Sequence, residues 1–197
     1  MVVQAVEKFV DEDELMALGS NVFAEVIDGE MVEMSPVGTE HHLIVMNILR
    51  ILDAFVRANL VGHVFPDGLI YLLDADGKHL RGAQVPDVSF VRKGTLPKDW
   101  DIKRPYPGSP ALAVEVLSPD DKPELLLKRV RKYLQFGSEQ VWVVYPDSKE
   151  VHQYKRGADT IRVYTGSDTL EVDDLFPGLT LTLTDIFAMP DLSEGES

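Results

Sequence analysis

The chain has 197 residues, 45% of them hydrophobic and 26% charged, enough for one globular domain with its own core. Nineteen Lys and Arg against 33 Asp and Glu leave a net charge of −14, which opposes general attraction to nucleic acid or an anionic membrane, so any action on DNA must rest on a local basic surface. The absence of cysteine excludes disulfides, thiolate metal sites and thiol nucleophiles.

No run of about 18 apolar residues exists to span a membrane. The start, Met1-Val-Val-Gln-Ala-Val-Glu-Lys-Phe9, lacks the pattern of a secretory signal, and a cytoplasmic location is expected. Val10-Asp-Glu-Asp-Glu-Leu-Met-Ala-Leu-Gly19 reads as a short acidic helix stopped by Gly19. Val22-Phe-Ala-Glu-Val-Ile27 and Glu30-Met-Val-Glu-Met34 flank Asp28-Gly29, a hairpin signal because both central residues of that turn need positive φ. Alternation puts Glu25 on one face with Phe23 and Ile27, either as a carboxylate at the rim of the core or as a functional acid. Thr39 is expected to cap a helix from Glu40 to about Asn59 with the stripe Ile44, Ile48, Ile51, Leu52 and Phe55. His41, in its first turn, reads as a capping or packing residue. His41 and His42 are adjacent and so diverge on a helix, which disfavours a joint metal site.

Strands are expected at Val61–Phe65, Leu69–Leu73 and Val85–Val91, with a polar loop, Asp74-Ala-Asp-Gly-Lys-His79, between the last two. Asp87 opens the apolar run Val88-Ser-Phe-Val91. Arg92 to Pro110, with Pro97, Pro105, Pro107 and Pro110, reads as a long connection. Then Ala111-Leu-Ala-Val-Glu-Val-Leu-Ser-Pro119, a helix with Leu126, Val130, Tyr133 and Leu134 at helical spacing, and Val141-Trp-Val-Val144 form a strand, helix, strand unit. Glu115 lies inside the first strand, where Val114, Val116 and Leu117 mark burial on both faces. An unpaired carboxylate there would cost on the order of several kcal/mol, so a metal ion, a cation or hydrogen bonds must compensate it. The following helix offers Lys128, Arg129, Arg131 and Lys132. Val151–Tyr154, Ile161–Tyr164 and Leu179–Leu183 are expected as antiparallel strands at one edge, with a turn at Phe176-Pro-Gly178 and a short helix at Asp185-Ile-Phe187. No repeat or linker splits the chain, so residues 1–190 are expected to form one domain and 191–197 a flexible tail.

Asp87 and Glu115 thus each interrupt an apolar strand, and a basic helix follows the second. Two carboxylates converging at neighbouring strand ends make a hard oxygen site suited to Mg²⁺ or Mn²⁺. Such an ion binds a phosphodiester oxygen and lowers the pKa of an attacking water. Each residue also has a plainer explanation: a salt-bridged core acid for Glu115, a turn-forming Asp87, a solvated helix face for Lys128 and Arg129, and core packing for Tyr133 and Trp142.

The arrangement resembles the PD-(D/E)xK nuclease superfamily, whose core places an Asp and a Glu on adjacent strands around a divalent metal. More closely it is similar to the restriction-endonuclease-like family labelled Uma two. The resemblance is carried in order by Glu25-Val-Ile-Asp-Gly-Glu30, Ser35-Pro36 followed by His41, Pro86-Asp-Val-Ser-Phe-Val91, Glu115-Val-Leu-Ser-Pro119, Tyr133 with Gly137 and Trp142, and Leu175-Phe-Pro-Gly-Leu179. It implies an α/β fold with a mixed, curved, restriction-endonuclease-like sheet flanked by helices. It further implies Asp87 and Glu115 as metal ligands and Glu25 as a third acid. The superfamily's Lys two positions after the Glu falls on Leu117, and the family's helical Lys, four residues before the Tyr, falls on Arg129 with Lys128 beside it. Arg stabilises anionic charge but is effectively never deprotonated. Tyr145 and Gln140 stand where the family often carries Asp and Glu. The implied function is a Mg²⁺- or Mn²⁺-dependent endonuclease acting on DNA as a homodimer. The alternatives are an inactive nuclease fold serving as a binding module and hydrolysis of small phosphate esters at the same site.

Overall fold

A computed structural model describes residues 10–18, 24–33, 36–76, 79–119 and 121–191. A two-residue strand, β1 (Val10–Asp11), leads into α1 (Glu12–Ala17), where two side chains cap reciprocally. Asp11 Oδ1 accepts from the Glu14 N–H at 2.7 Å, and Glu14 Oε2 accepts from the Asp11 N–H at 3.3 Å. Gly19, Val22, Phe23, Met34 and Ser35 lie outside the described residues. The strands β2 (Ala24–Ile27) and β3 (Glu30–Glu33) pair antiparallel across Asp28-Gly29, whose φ values of 53° and 84° are those the dipeptide favours.

The long helix α2 (Thr39–Asn59) starts one residue earlier than expected: Gly38, not Thr39, is the N-cap, and no side chain caps it. Thr39 already has helical backbone, which places its hydroxyl past the capping position. Next come β4 (Gly62–Pro66), β5 (Tyr71–Asp76) and β6 (His79–Gln84). The expected polar loop 74–79 is instead the end of one strand and the start of another, with residues 77 and 78 outside the described set. Then follow β7 (Val88–Arg92), the short β8 (Tyr106–Pro107) inside the long connection, β9 (Leu112–Val116), α3 (Pro123–Gln135), β10 (Gln140–Tyr145), β11 (Glu150–Lys155) and β12 (Arg162–Tyr164). Leu179–Leu183 is not a strand. Thr182 makes a single bridge to Thr169 and caps α4 (Leu183–Ile186), its Oγ1 accepting the Asp185 N–H at 3.1 Å, so capping competes successfully with extension.

The expected mixed α/β architecture is present, its strands shared between two six-stranded sheets. The first runs β3-β2-β6-β5-β8 with β1 alongside β6; the second runs β12-β11-β10-β9-β7-β4. Within the second, β9 and β10 are parallel, joined by α3, and the other pairs are antiparallel. One face of this sheet, with Val88, Phe90, Leu112, Val114 and Trp142, packs on Ile44, Val45, Ile48, Leu52 and Val56 of α2. Its other face, with Val91, Ala113, Val141 and Val143, packs on Leu126, Val130 and Tyr133 of α3 and on Tyr71 and Tyr106 of the first sheet. Among the described residues no helix is long and apolar enough to cross a membrane.

On the α2 side, β10, β11 and β12 are tied by a neutral polar network. Gln140 Oε1 accepts from Trp142 Nε1 at 3.0 Å and from Gln153 Nε2 at 2.9 Å. Gln153 Nε2 also donates to the Glu171 carbonyl, its Oε1 accepts from the Tyr164 hydroxyl, and that hydroxyl accepts the Glu171 N–H.

Candidate functional site

The register of β7 on β9 sets Val88 opposite Val114 and Ser89 opposite Ala113, so one further step brings Asp87 to Glu115 at the strand ends. Strand alternation turns Ser89, Ala113 and Glu115 to the α3 face, and Asp87 shares that parity. Asp87 Oδ2 accepts the Val116 N–H at 2.7 Å, so a side chain continues the ladder just before β7 begins. Its Oδ1 lies 3.1 Å from Nε2 of His41, in the first turn of α2. Glu25 arrives from β2 of the other sheet, its Oε1 accepting the Val85 N–H at 3.0 Å.

Arg129 joins these acids because it occupies the buried stripe of α3 with Leu126, Val130 and Tyr133, at helical spacing. Its Nη1 is 3.2 Å from Glu115 Oε2 and 3.7 Å from Glu25 Oε2, and its Nη2 is 3.1 Å from Asp121 Oδ1. Asp121 is itself held in the turn before α3, where its Oδ2 accepts the Ser118 N–H at 2.8 Å. Glu25, His41, Asp87, Glu115, Asp121 and Arg129 together line a cleft of about 210 Å³.

Four carboxylates therefore face one guanidinium and one imidazole. Burial raises Glu25, against the opposing effects of Arg129 and the Val85 hydrogen bond. Burial likewise raises Glu115 well above the ordinary carboxylate value of 4.5, Arg129 opposing it and the charges of Glu25 and Asp87 adding to it. Burial works against the charge on Arg129, but Glu115, Glu25 and Asp121 more than offset it and keep the guanidinium cationic. Burial, the largest single influence, pulls His41 down, and the bond to Asp87 together with the charges of Asp87, Asp121 and Asp67 outweighs it, for a net rise. Glu115 Oε1, the Tyr133 hydroxyl, Arg129 Nε and His41 Nδ1 are buried without a hydrogen-bond partner. The Tyr133 hydroxyl is near enough to Glu115 to perturb it, yet the two make no hydrogen bond of ordinary geometry. The cluster thus holds more acidic groups than cationic ones, and it leaves four buried polar atoms unmatched.

Of the residues singled out from sequence, Glu25, Asp87, Glu115 and Arg129 come together. Lys128 does not join them: one residue off the buried stripe, its Nζ lies 3.0 Å from Asp28 Oδ2, where Lys132 also reaches. His41 and Asp121 belong to the cluster although sequence reading assigned neither to it. For His41 the available signal was its spacing of three residues from Ile44, which puts it on the inward stripe of α2. Asp121 sits in a polar turn and gives no comparable signal.

The donor set fits a hard divalent ion. Among the described residues no three His, Asp or Glu side chains are gathered at ligating distance. Mg²⁺ needs only one or two carboxylates and completes its shell with water and substrate. Asp87 and Glu115 are two carboxylates at adjacent strand ends, and Oε1 of Glu115 is buried with no hydrogen-bond partner.

Residues 10–184 match the family model described as "Uma2: Putative restriction endonuclease". No curated protein sequence matches the chain. Among solved structures, one described as a "putative nuclease belonging to DUF820" from Anabaena variabilis superposes with a TM-score of 0.76 at 20% identity, covering 90% of this chain and 97% of that one. At that identity the likeness is one of fold.

Proposed function

The chain belongs to the Uma2 family of restriction-endonuclease-like proteins, and on that premise we propose that it is a divalent-metal-dependent endonuclease hydrolysing phosphodiester bonds in DNA, with Mg²⁺ or Mn²⁺ held by Asp87 and Glu115. The observation that carries this reading is the uncommitted, buried Oε1 of Glu115 in a cleft shared with Asp87. When bound, such an ion polarises a phosphodiester oxygen and lowers the pKa of an attacking water. Val116 N–H and His41 hold the Asp87 carboxylate from two sides. Arg129 stays cationic, so it neutralises Glu115 and Glu25 and stabilises phosphate charge but takes no proton. Glu25, raised by burial, is the carboxylate suited to receiving one. The proposal takes residues to about 190 as one domain, acting in the cytoplasm as a homodimer, because cutting both strands of a duplex takes two sites.

A second reading, a nuclease fold that binds without cutting, is favoured by the three carboxylates already spent on Arg129. Cleavage of several DNA forms in Mn²⁺, comparing the native chain with Asp87→Ala and Glu115→Ala, separates the two. The nuclease reading expects each variant to lose about a hundredfold or more in rate. An inert native chain whose metal affinity is unchanged by either substitution leaves the binding module. Turnover of phosphate monoesters without DNA cleavage points to small-ester hydrolysis instead.

A further inference from the structure

Resting on the metal-site reading above, we infer that His41 is a positioning residue: it fixes the Asp87 carboxylate in the rotation that lets the carboxylate share an ion with Glu115. Asp87 lies between Pro86 and the first residue of β7, where the strand's own ladder has not begun to constrain it. Two bonds do so instead. Val116 N–H holds Oδ2 at 2.7 Å and the His41 imidazole holds Oδ1 at 3.1 Å, so the carboxylate cannot turn about its last bond without breaking one of them. Each oxygen has two acceptor sites, so one clamp apiece leaves a lone pair on each for a cation.

The clamp stands on a rigid base. α2 is anchored three, seven and eleven residues further on by Ile44, Ile48 and Leu52, all fully buried, which fixes the position of the His41 backbone. His41 is itself only 7% exposed, whereas its neighbour His42 is exposed. Packing alone would be served better by an apolar side chain, since burying an imidazole without a partner costs free energy. The ring nitrogen directed at Asp87 is what repays that burial. Metal-ligating groups held by such outer partners lose affinity when the partner is removed.

The test is Mn²⁺ affinity without DNA, by titration calorimetry or the free-ion electron paramagnetic resonance signal, with thermal unfolding recorded for every variant. Asp87→Ala and Asp87→Asn, the second keeping an oxygen for the Val116 N–H, together set the reference for a lost ligand. His41→Phe keeps a ring and removes the donor, and should weaken Mn²⁺ binding about tenfold or more. His41→Gln, whose amide nitrogen reaches the place of Nε2, should recover most of that loss, and His42→Ala should bind as the native chain does. Should His41→Phe fail to fold, His41→Asn, whose amide falls short of Asp87, is expected to show the same weakening. Native affinity in His41→Phe, or in His41→Asn, alongside a loss in Asp87→Ala overturns the role of His41 and leaves the metal reading standing. A folded His41→Gln no better than His41→Phe overturns it too. A native chain that binds no Mn²⁺, or an Asp87→Ala that binds as tightly, overturns the metal reading and this inference with it.

Discussion

Two buried polar clusters sit on opposite faces of the same sheet, and they are built to different rules. On the α2 face, Gln140, Trp142, Gln153 and Tyr164 are neutral, and their donors and acceptors answer one another almost completely, with only Gln140 Nε2 left over. On the α3 face, four carboxylates share one Arg and one His, and four polar atoms of the cluster go unmatched. A closed neutral network rigidifies a core, whereas a charged and incompletely matched one burdens it. The difference suits the first cluster to holding β10, β11 and β12 together, and it is the imbalance that the proposed metal site would relieve in the second.

Removing Arg129 should separate the clusters most. Arg129→Ala leaves buried carboxylates with no cation, and a cost of about 3–5 kcal/mol is expected in urea unfolding with a chelator present. Saturating Mn²⁺ should return part of it, because an ion that binds only the folded chain stabilises that chain. A smaller loss, about 3 kcal/mol, is expected for Gln153→Leu, which takes the acceptor from the Tyr164 O–H and a donor from Gln140 Oε1 and from the Glu171 carbonyl. Mn²⁺ affinity should not change in that variant, and a change would mean that the two faces are coupled. The smallest effect, of opposite sign, is expected for Glu115→Gln. The folded pKa of Glu115 lies above its unfolded value of 4.5, so its contribution to stability is fully present below that value and is lost as pH rises through the folded one. Glu115→Gln escapes the loss: it should unfold at higher urea than the native chain at neutral pH, and the gap should close on acidification toward 4.5. The Gln153→Leu difference should stay flat over the same range. A Glu115→Gln variant less stable than the native chain at neutral pH would count the acid as a structural ion-pair partner.

Much of the frame could be read from the chain because local chemistry and tertiary packing agree there. Asp28-Gly29 demanded its turn, and the apolar stripes of α2 and α3 demanded their faces. The strand β6 escaped because His79-Leu-Arg-Gly-Ala-Gln84 has neither regular alternation nor β-branched residues; pairing on both sides, to β2 and β5, makes it extended. Leu179–Leu183 misled for the opposite reason, an alternating pattern overruled by a helix cap. In the site, Asp87 and Glu115 stood out as acids in apolar strands. Telling Arg129 from Lys128 needed only the helical phase of Leu126, Val130 and Tyr133. Asp121 and the bond from His41 to Asp87 depend on contacts between segments that no local pattern announces.

Asp87 serves β9 as a main-chain carbonyl would, receiving the Val116 N–H where no residue of β7 is yet in place to do so. Truncating it therefore unfastens the end of the strand that carries Glu115 and mixes a chemical loss with a displaced backbone. The Glu115 side chain meets Arg129 and holds no backbone group. For testing the proposed nuclease reading on an undistorted chain, Glu115 is accordingly the residue to change, and Asp87 is better changed to Asn, which keeps an oxygen for that amide.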